Sequence, residues 1–257
     1  GLVVGGYFNA RNIRLRTMDF ALAKPGGAFA SLKVALASDI HLGTVVGPVQ
    51  LEAIVSKING LEPDLVLLPG DIVDEGVSVE AEEKMTALLR AIRAPLGAFA
   101  VPGNHEYYAG LETSLAYLRR GNVTVLQDEA VRVADSFYLI GRKDWGHGRS
   151  GERRKSLDEI LAGIDKRLPL ILMDHQPVDL GQAEAAGIDL QVSGHTHNGQ
   201  IIPLTWVNKL IYELNWGAKK RGNTQYYVSS GAGTWGPPVR VGSIPEIVLL
   251  RLAFRAP

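Results

Sequence analysis

The sequence predicts an α/β fold with a sheet core, on three observations. Short continuous apolar runs read as buried strands. They alternate with segments whose apolar residues recur at helical spacing. Further strand-like runs then follow in the last third, and strands that alternate with helices and then multiply mark an α/β domain. In order, "NIRLRTMDFAL" (12–22) alternates Ile13 and Leu15 with Arg14 and Arg16, which suits a half-exposed strand, and an N-terminal extension strand is expected at about 7–22. "SLKVALAS" (31–38) and "PDLVLLPGD" (63–71) are buried strands. Between them, "VQLEAIVSKINGL" (49–61) sets Leu51, Ile54, Val55 and Ile58 on one helical face. "SVEAEEKMTALLRAIR" (78–93) is a helix with acids early and arginine late, as the helix dipole favours. "GAFAVPGNHE" (97–106) is a strand, and "LETSLAYLRRGN" (111–122) a helix closed by glycine.

Residues 123–141 have strand composition broken by turns, and "SLDEILAGIDKRL" (156–168) opens like a helix, on serine and acids. "PLILMDHQP" (169–177) is a strand, "LGQAEAAGI" (180–188) a helix, and "DLQVSGHTH" (189–197) a strand. The segment 224–252 reads as two or more strands with Gly/Pro turns. With no linker or repeat in view, one domain over 1–257 is expected.

Bulk composition narrows the function. Basic and acidic residues balance at 27 each, which argues against a broad phosphate-tracking surface, so no nucleic-acid binding is expected. With no cysteine, any metal must be held by nitrogen and oxygen. No run reaches the length of a membrane span. The opening "GLVVGGYFNA" lacks the basic leader of a signal peptide. The first residue is not Met, which raises the expectation that an upstream signal or anchor was removed.

The polar residues at the strand ends carry the chemistry, because ligands of α/β domains bind beyond the carboxyl ends of the strands. There the sequence places Asp39 and His41, Asp71, Asn104 and His105, His175, and His195 and His197. One histidine at a strand end is an ordinary turn residue, and an isolated "GD" or "GN" only a turn signal. Five of the six histidines at successive strand ends are another matter. Residues two apart at a strand end point the same way, so His195 and His197 are expected to face one point, as are Asp39 and His41. Gly70, Gly103 and Gly194 allow tight turns beside them. Imidazole and carboxylate together suit Zn, Fe or Mn.

The blocks "DIH" (39–41), "GDIVD" (70–74), "GNHE" (103–106), "DHQP" (174–177) and "GHTH" (194–197) resemble, in order and spacing, the signature of the calcineurin-like metallophosphoesterases. The resemblance spans roughly 32 to 250. It implies a four-layer α/β/β/α sandwich with two mixed β-sheets and two divalent metal ions (Mn, Zn, Fe or Ni) at its edge. Asp39, His41 and His197 then bind one ion, Asn104, His175 and His195 the other, and Asp71 bridges them. His105 stays uncoordinated and assists the leaving group. The implied activity is cleavage of phosphodiester or pyrophosphate bonds by metal-activated water. A lipid-linked pyrophosphatase of the UDP-2,3-diacylglucosamine type and a non-catalytic scaffold are the alternatives.

"GHTHNGQ", the apolar residues after it and the N-terminal strand resemble the bacterial envelope and membrane-linked branch, which implies an envelope or membrane location, with the cytoplasm as alternative. Many relatives have glycine where Asn198 stands. Asp74, Glu106 and Asp174 either orient ligands or cap turns. In 201–223, Trp206, Leu210, Ile211, Tyr212, Leu214 and Trp216 precede Lys219, Lys220 and Arg221. These aromatic and aliphatic residues are expected in the core and the basic cluster in a solvated turn, with a lipid-surface element as the competing reading. The loop 141–155, with Trp145, His147, Arg149, Arg153 and Arg154, is expected to be a solvated, mobile face, with contact to substrate phosphate or a nucleotide as the alternative.

Overall fold

The computed structural model describes residues 1–145 and 153–255. The chain begins with α1 (Leu2–Arg11) and β1 (Arg14–Pro25), then β2 (Ser31–Leu36), α2 (Pro48–Gly60), β3 (Leu65–Pro69), α3 (Val79–Arg90) and β4 (Ala98–Val101). It continues through α4 (Asn104–Ala109), α5 (Leu111–Arg120), β5 (Val123–Val125), β6 (Glu129–Val133), β7 (Phe137–Gly141) and α6 (Leu157–Ile160). β8 (Leu170–Met173), α7 (Gly181–Ala186), β9 (Leu190–Ser193), α8 (Leu204–Ile211), β10 (Gly217–Arg221), β11 (Thr224–Val228) and β12 (Glu246–Arg255) complete it.

Two mixed six-stranded sheets stack in the middle, in the orders β1-β12-β2-β3-β4-β5 and β10-β11-β9-β8-β7-β6. Their facing sides share one core, in which Leu36, Leu67 and Val248 of the first sheet belong with Leu139, Ile171 and Val192 of the second. α2, α3 and α5 cover the outside of the first sheet. α6 and α7 cover the second, which gives four layers, α/β/β/α. Strands buried on both faces explain the unbroken apolar runs: every residue of β3, β8 and β9 is buried.

Local signals act as expected where they are strong. α2 begins on Pro48 and buries Leu51, Ile54, Val55 and Ile58; truncating one such aliphatic to Ala costs about 2–5 kcal/mol. The Ser78 hydroxyl caps α3 by accepting from the Ala81 N–H at 3.3 Å. α6 opens on a Ser156/Glu159 capping box but stops at Ile160, so the helix expected to run towards 168 is one turn. Past it, Gly163 turns the backbone left-handed at φ 79°.

The strand expected at about 7–22 starts at Arg14, and the residues before it are helical. Gly5 and Gly6 are poor helix formers, but Gly6 lies so close to Val239 and Val241 that no side chain fits there. The Gly6 carbonyl also accepts from the Arg240 N–H at 3.0 Å. Tertiary contact therefore sets the helix against local preference. The basic cluster is not a turn: Lys219, Lys220 and Arg221 form the edge strand β10. There Lys219 and Arg221 pair with Glu213 at 2.8 and 2.9 Å. No helix among the described residues is long and apolar enough to cross a membrane.

β2, β3, β4 and β5 are parallel, as are β7, β8, β9 and β11. Each sheet therefore collects its carboxyl ends along one edge, and there the two sheets meet.

Candidate metal centre

Asp39 and His41 follow β2, Asp71 follows β3, and Asn104 and His105 open α4 after β4, all from the first sheet. His175 follows β8, and His195 and His197 follow β9, from the second. The two sets converge. His41 Nε2 is 3.0 Å from His197 Nε2 and 3.9 Å from Asp71 Oδ2. His197 Nε2 is 3.6 Å from Asp39 Oδ1. On the other side, His175 Nε2 lies 3.1 Å from Asp71 Oδ2 and 3.3 Å from Asn104 Oδ1. Donor atoms of Asp39, His41 and His197 group within 4.8 Å of one another, and so do those of Asp71, His175 and His195. His41, Asp71 and His105 form a third such group that overlaps both. All eight residues named from the sequence thus gather at one place, with Asp71 in the middle.

The convergence does not come from strand alternation. His195 and His197 lie beyond the end of β9, with His197 opening a single 3-10 turn, His197–Gly199. Asp39, His41, Asp71, His195 and His197 all have left-handed φ, between 49° and 72°. Such values are uncommon outside glycine and cluster at functional sites, where the surroundings must enforce them. Glycines permit the close approach. At Gly70 (φ 87°) any side chain would strike the His175 ring, and at Gly194 it would strike Asp39.

Three acidic residues whose role the sequence left open are now distinguished. Glu106 is fully buried, and its carboxylate accepts from the N–H groups of Asp71, Ile72, Val73 and Gly103 at 3.0, 2.6, 2.8 and 2.7 Å. It caps α4 and holds the Asp71 loop in one stroke. Burial and the charge on Asp71 push its pKa up to about 7, against the pull of the Val73 and Gly103 N–H groups. Asp74 hydrogen-bonds His105 Nδ1 and so fixes that ring, and it lies 3.8 Å from His41 Nδ1. Asp174 is turned away from the donors. It pairs with Arg154, and with Arg142 at 3.4 Å, in a buried cluster.

The Asp174 cluster also corrects the reading of the 141–155 loop. Arg154 is buried rather than solvated, with its guanidinium over the Trp145 ring at 4.5 Å. Arg153 is exposed and pairs with Glu159 at 2.6 Å. His147 and Arg149 lie outside the described residues.

The Pro69 carbonyl sits 2.8 Å from His175 Nδ1; a carbonyl only accepts, so Nδ1 carries a proton and Nε2 is the nitrogen turned to Asp71. Burial would lower the His175 pKa, but the Asp71 charge outweighs it and raises it well above the usual imidazole range. Burial, reinforced by His175, holds His195 down to about 3. Burial and the Arg240 charge hold His197 well below the usual imidazole range. Burial would raise Asp71, but the charge and hydrogen bond of His175 outweigh it and hold the carboxyl well below the usual carboxylate range. Asp39 is fully buried; its Oδ1 accepts from the His195 backbone N–H at 2.8 Å and lies 3.6 Å from His197 Nε2, and its Oδ2 has no hydrogen-bond partner among the described residues. A buried carboxylate so placed beside an imidazole nitrogen, with Oδ2 left without a donor, fits a divalent cation held by N and O donors.

A cleft of about 260 Å³ opens over these donors, and its far wall is formed by Leu204, Asn208, Tyr212 and Trp235. Of this wall the sequence singled out Tyr212 alone, and as a residue expected in the core. Asn208 reaches it because its amide donates to the Thr196 carbonyl at 2.8 Å, and the Tyr212 ring lies 6.0 Å from that of His195. The core placement expected for the apolar residues of 201–223 does not hold for α8. Trp206 (63% exposed), Leu210 (89%) and Ile211 (65%) face solvent, because the helix turns Thr205 and Asn208 inward. Trp216 is partly buried and donates to Glu246 Oε1 at 3.0 Å.

An α/β/β/α sandwich with a His/Asp cluster at the joined edges of its sheets defines a class of protein suited to binding divalent metal beside an open cleft. Comparison with known proteins gives the family: residues 32–199 match the calcineurin-like phosphoesterases, and the chain belongs to that family. It is 32% identical over 257 residues to an uncharacterized metallophosphoesterase of Aquifex aeolicus, covering 98% of this chain and 97% of that one. An uncharacterized metallophosphoesterase of Helicobacter pylori is 39% identical over 223 residues, 86% of this chain and 60% of its own length. A Bos taurus transmembrane protein with metallophosphoesterase domain is 34% identical over 271 residues, 97% of this chain and 59% of its own. The chain thus spans about 60% of the length of the Helicobacter relative. In fold it is similar to a dimetal phosphatase from Danio rerio (TM-score 0.52, 14% identity, 80% of this chain and 88% of that one). It is also similar to a putative 5'-nucleotidase from Staphylococcus aureus (TM-score 0.51, 16% identity, 88% and 55%).

Proposed function

We propose that the chain is one metallophosphoesterase domain, extended at its N-terminus by α1 and β1, that hydrolyses phosphodiester or pyrophosphate bonds at a pair of divalent cations. The observation that carries this reading is the sharing of Asp71: its carboxylate stands between His41 of one donor group and His175 of the other. Asp39, His41 and His197 would hold one cation, Asn104, His175 and His195 the other, and Asp71 both. Two cations so held supply polarisation of the phosphoryl oxygens and a water of lowered pKa as nucleophile.

The remaining work falls to the chain. Asn104 contributes a neutral oxygen, so the pocket keeps net positive charge for an anionic ester. His105 is only half-buried at the cleft, and Asp74 holds its Nδ1. Its Nε2 is left to face the substrate and protonate the departing oxygen. Burial would lower the pKa of His105, but the bond to Asp74 prevails and raises it, which keeps that proton available near neutrality. The Asp71 carboxylate accepts from the His105 backbone N–H at 2.9 Å, so bridging residue and proton donor are held in one frame. A scaffold without activity has no use for this set.

A lipid-linked pyrophosphate of the UDP-2,3-diacylglucosamine type is the second reading. It is favoured by the apolar face of α8 at the mouth of the cleft. The test of the main reading is hydrolysis of bis-p-nitrophenyl phosphate in Mn²⁺. Turnover that disappears in Asp71→Asn supports it; a metal-loaded protein with no turnover on any phosphate ester in Mn, Zn, Fe or Ni defeats it.

A further inference from the structure

α8 is an amphipathic helix turned inside out. Its polar residues Thr205 and Asn208 face the protein, while Trp206, Val207, Leu210 and Ile211 face solvent. An exposed apolar residue here and there is ordinary, but a whole helix face is not. α1 repeats the pattern: only Gly6 and Ala10 are buried, and Leu2 (79% exposed), Val3, Val4 and Phe8 (67%) lie outside. The two helices are joined through one strap of chain. Gly6 packs on Val239 and Val241, and the Asn9 side chain donates to the Arg240 carbonyl at 3.0 Å. On the α8 side, the Ile202 N–H donates to the Val241 carbonyl at 3.0 Å, and Gly242 lies against Ile202 and Thr205. Trp235, 43% exposed, links this rim to the cleft through mutual bonds with Gln200.

Charge selects the occupant. The three segments that build the rim, 1–18, 195–212 and 229–245, contain no Asp or Glu, although the whole chain has 27. They carry exposed Arg11, Arg14 and Lys209 beside the apolar faces. An apolar face edged by cations, whose adjoining carboxylates Glu213 and Glu246 are already paired with Lys219, Arg221 and Arg16, matches a bilayer with anionic headgroups, into which Trp and Leu insert while Lys and Arg meet the phosphates. We propose that α8, seconded by α1, docks the protein on an anionic membrane surface, with the cleft mouth set at the lipid–water boundary. The surface stands whichever ester is cleaved.

The test is co-sedimentation of the full chain with vesicles of phosphatidylcholine, with and without phosphatidylglycerol. We expect binding to the anionic vesicles that weakens as salt is raised. Replacing Trp206, Leu210 and Ile211 together by Gln should weaken it at least about tenfold, from the apolar area removed, and replacing Leu2 and Phe8 by Gln should weaken it less. None of these five side chains lines the cleft, so hydrolysis of the soluble diester should stay unchanged. Vesicle binding without diester hydrolysis defeats the proposed activity and leaves the surface; the converse defeats the surface alone. Should the triple variant not fold, brominated lipid decides with folded protein: Trp emission must be quenched in the wild type and markedly less in Trp206→Phe. No vesicle binding, equal binding by wild type and variant, equal quenching, or a dimer that the triple substitution splits while vesicles are ignored would each overturn the proposal.

Discussion

The floor and the far wall of one cleft are built on opposite plans. On the floor, Asp71 is held by a buried neighbour, Glu106, that spends its carboxylate on four backbone N–H groups. Five of the candidate donors keep left-handed backbone there because everything around them is fixed. On the wall, α8 is anchored by Asn208 and Thr205 and turns its large apolar side chains away from the protein. Chemistry is pre-organised on one side, and the other side is shaped for something outside the chain. Substitutions should therefore act in opposite ways on the two.

The largest effect is expected at Asp71. Asp71→Asn removes the shared charge and should lower kcat/KM on the soluble diester about a thousandfold or more, with loss of bound metal measured by elemental analysis. His105→Ala should slow turnover about 10²–10⁴-fold while both metals stay; loss of metal in that variant would reassign His105 as a ligand. Glu106→Gln keeps shape but turns an amide NH₂ towards backbone N–H donors. It should cost about 1–3 kcal/mol in urea unfolding and weaken metal affinity about 10–100-fold.

A smaller effect is a shift in pH dependence. The Asp74 bond raises the pKa of His105, so the protonated ring is fully populated below the free-imidazole value and is lost as pH rises through the raised one. The alkaline fall in rate should therefore move to lower pH in Asp74→Asn, as read from kcat/KM profiles of the two proteins. Least of all, Leu210→Gln on the wall should change stability by no more than about 0.5 kcal/mol, whereas Leu68→Ala in the core should cost about 2–5 kcal/mol. Equal costs at Leu210 and Leu68 would remove the contrast between floor and wall.

Much of the floor was legible in the sequence, because imidazoles are few and stand just past apolar runs whose direction a parallel sheet fixes. The same runs marked an α/β domain with a sheet core, and its four layers were implied by the resemblance of the motif blocks to the family. What escaped has a common physical cause. The left-handed turns at His41 and His197 depend on the packing of the other sheet's loops, which spacing within one strand does not encode. α1 forms because Gly6 meets Val239 and Val241, residues far away in the chain. Asp74 and Asp174 are both acidic residues of the motif blocks, yet one holds His105 and the other neutralises buried arginines, which only the fold distinguishes. The apolar residues of α8 have the composition of a core helix, and only the inward Asn208 decides that they lie outside.

The central claim is that one carboxylate, Asp71, joins two cations. Anomalous scattering from crystals grown in Mn²⁺ tests it most directly. The account predicts two peaks about 3.5–4 Å apart astride the Asp71 carboxylate, one beside His41 and His197 and the other beside His175 and His195. A single peak, or two peaks neither of which touches Asp71, would contradict it.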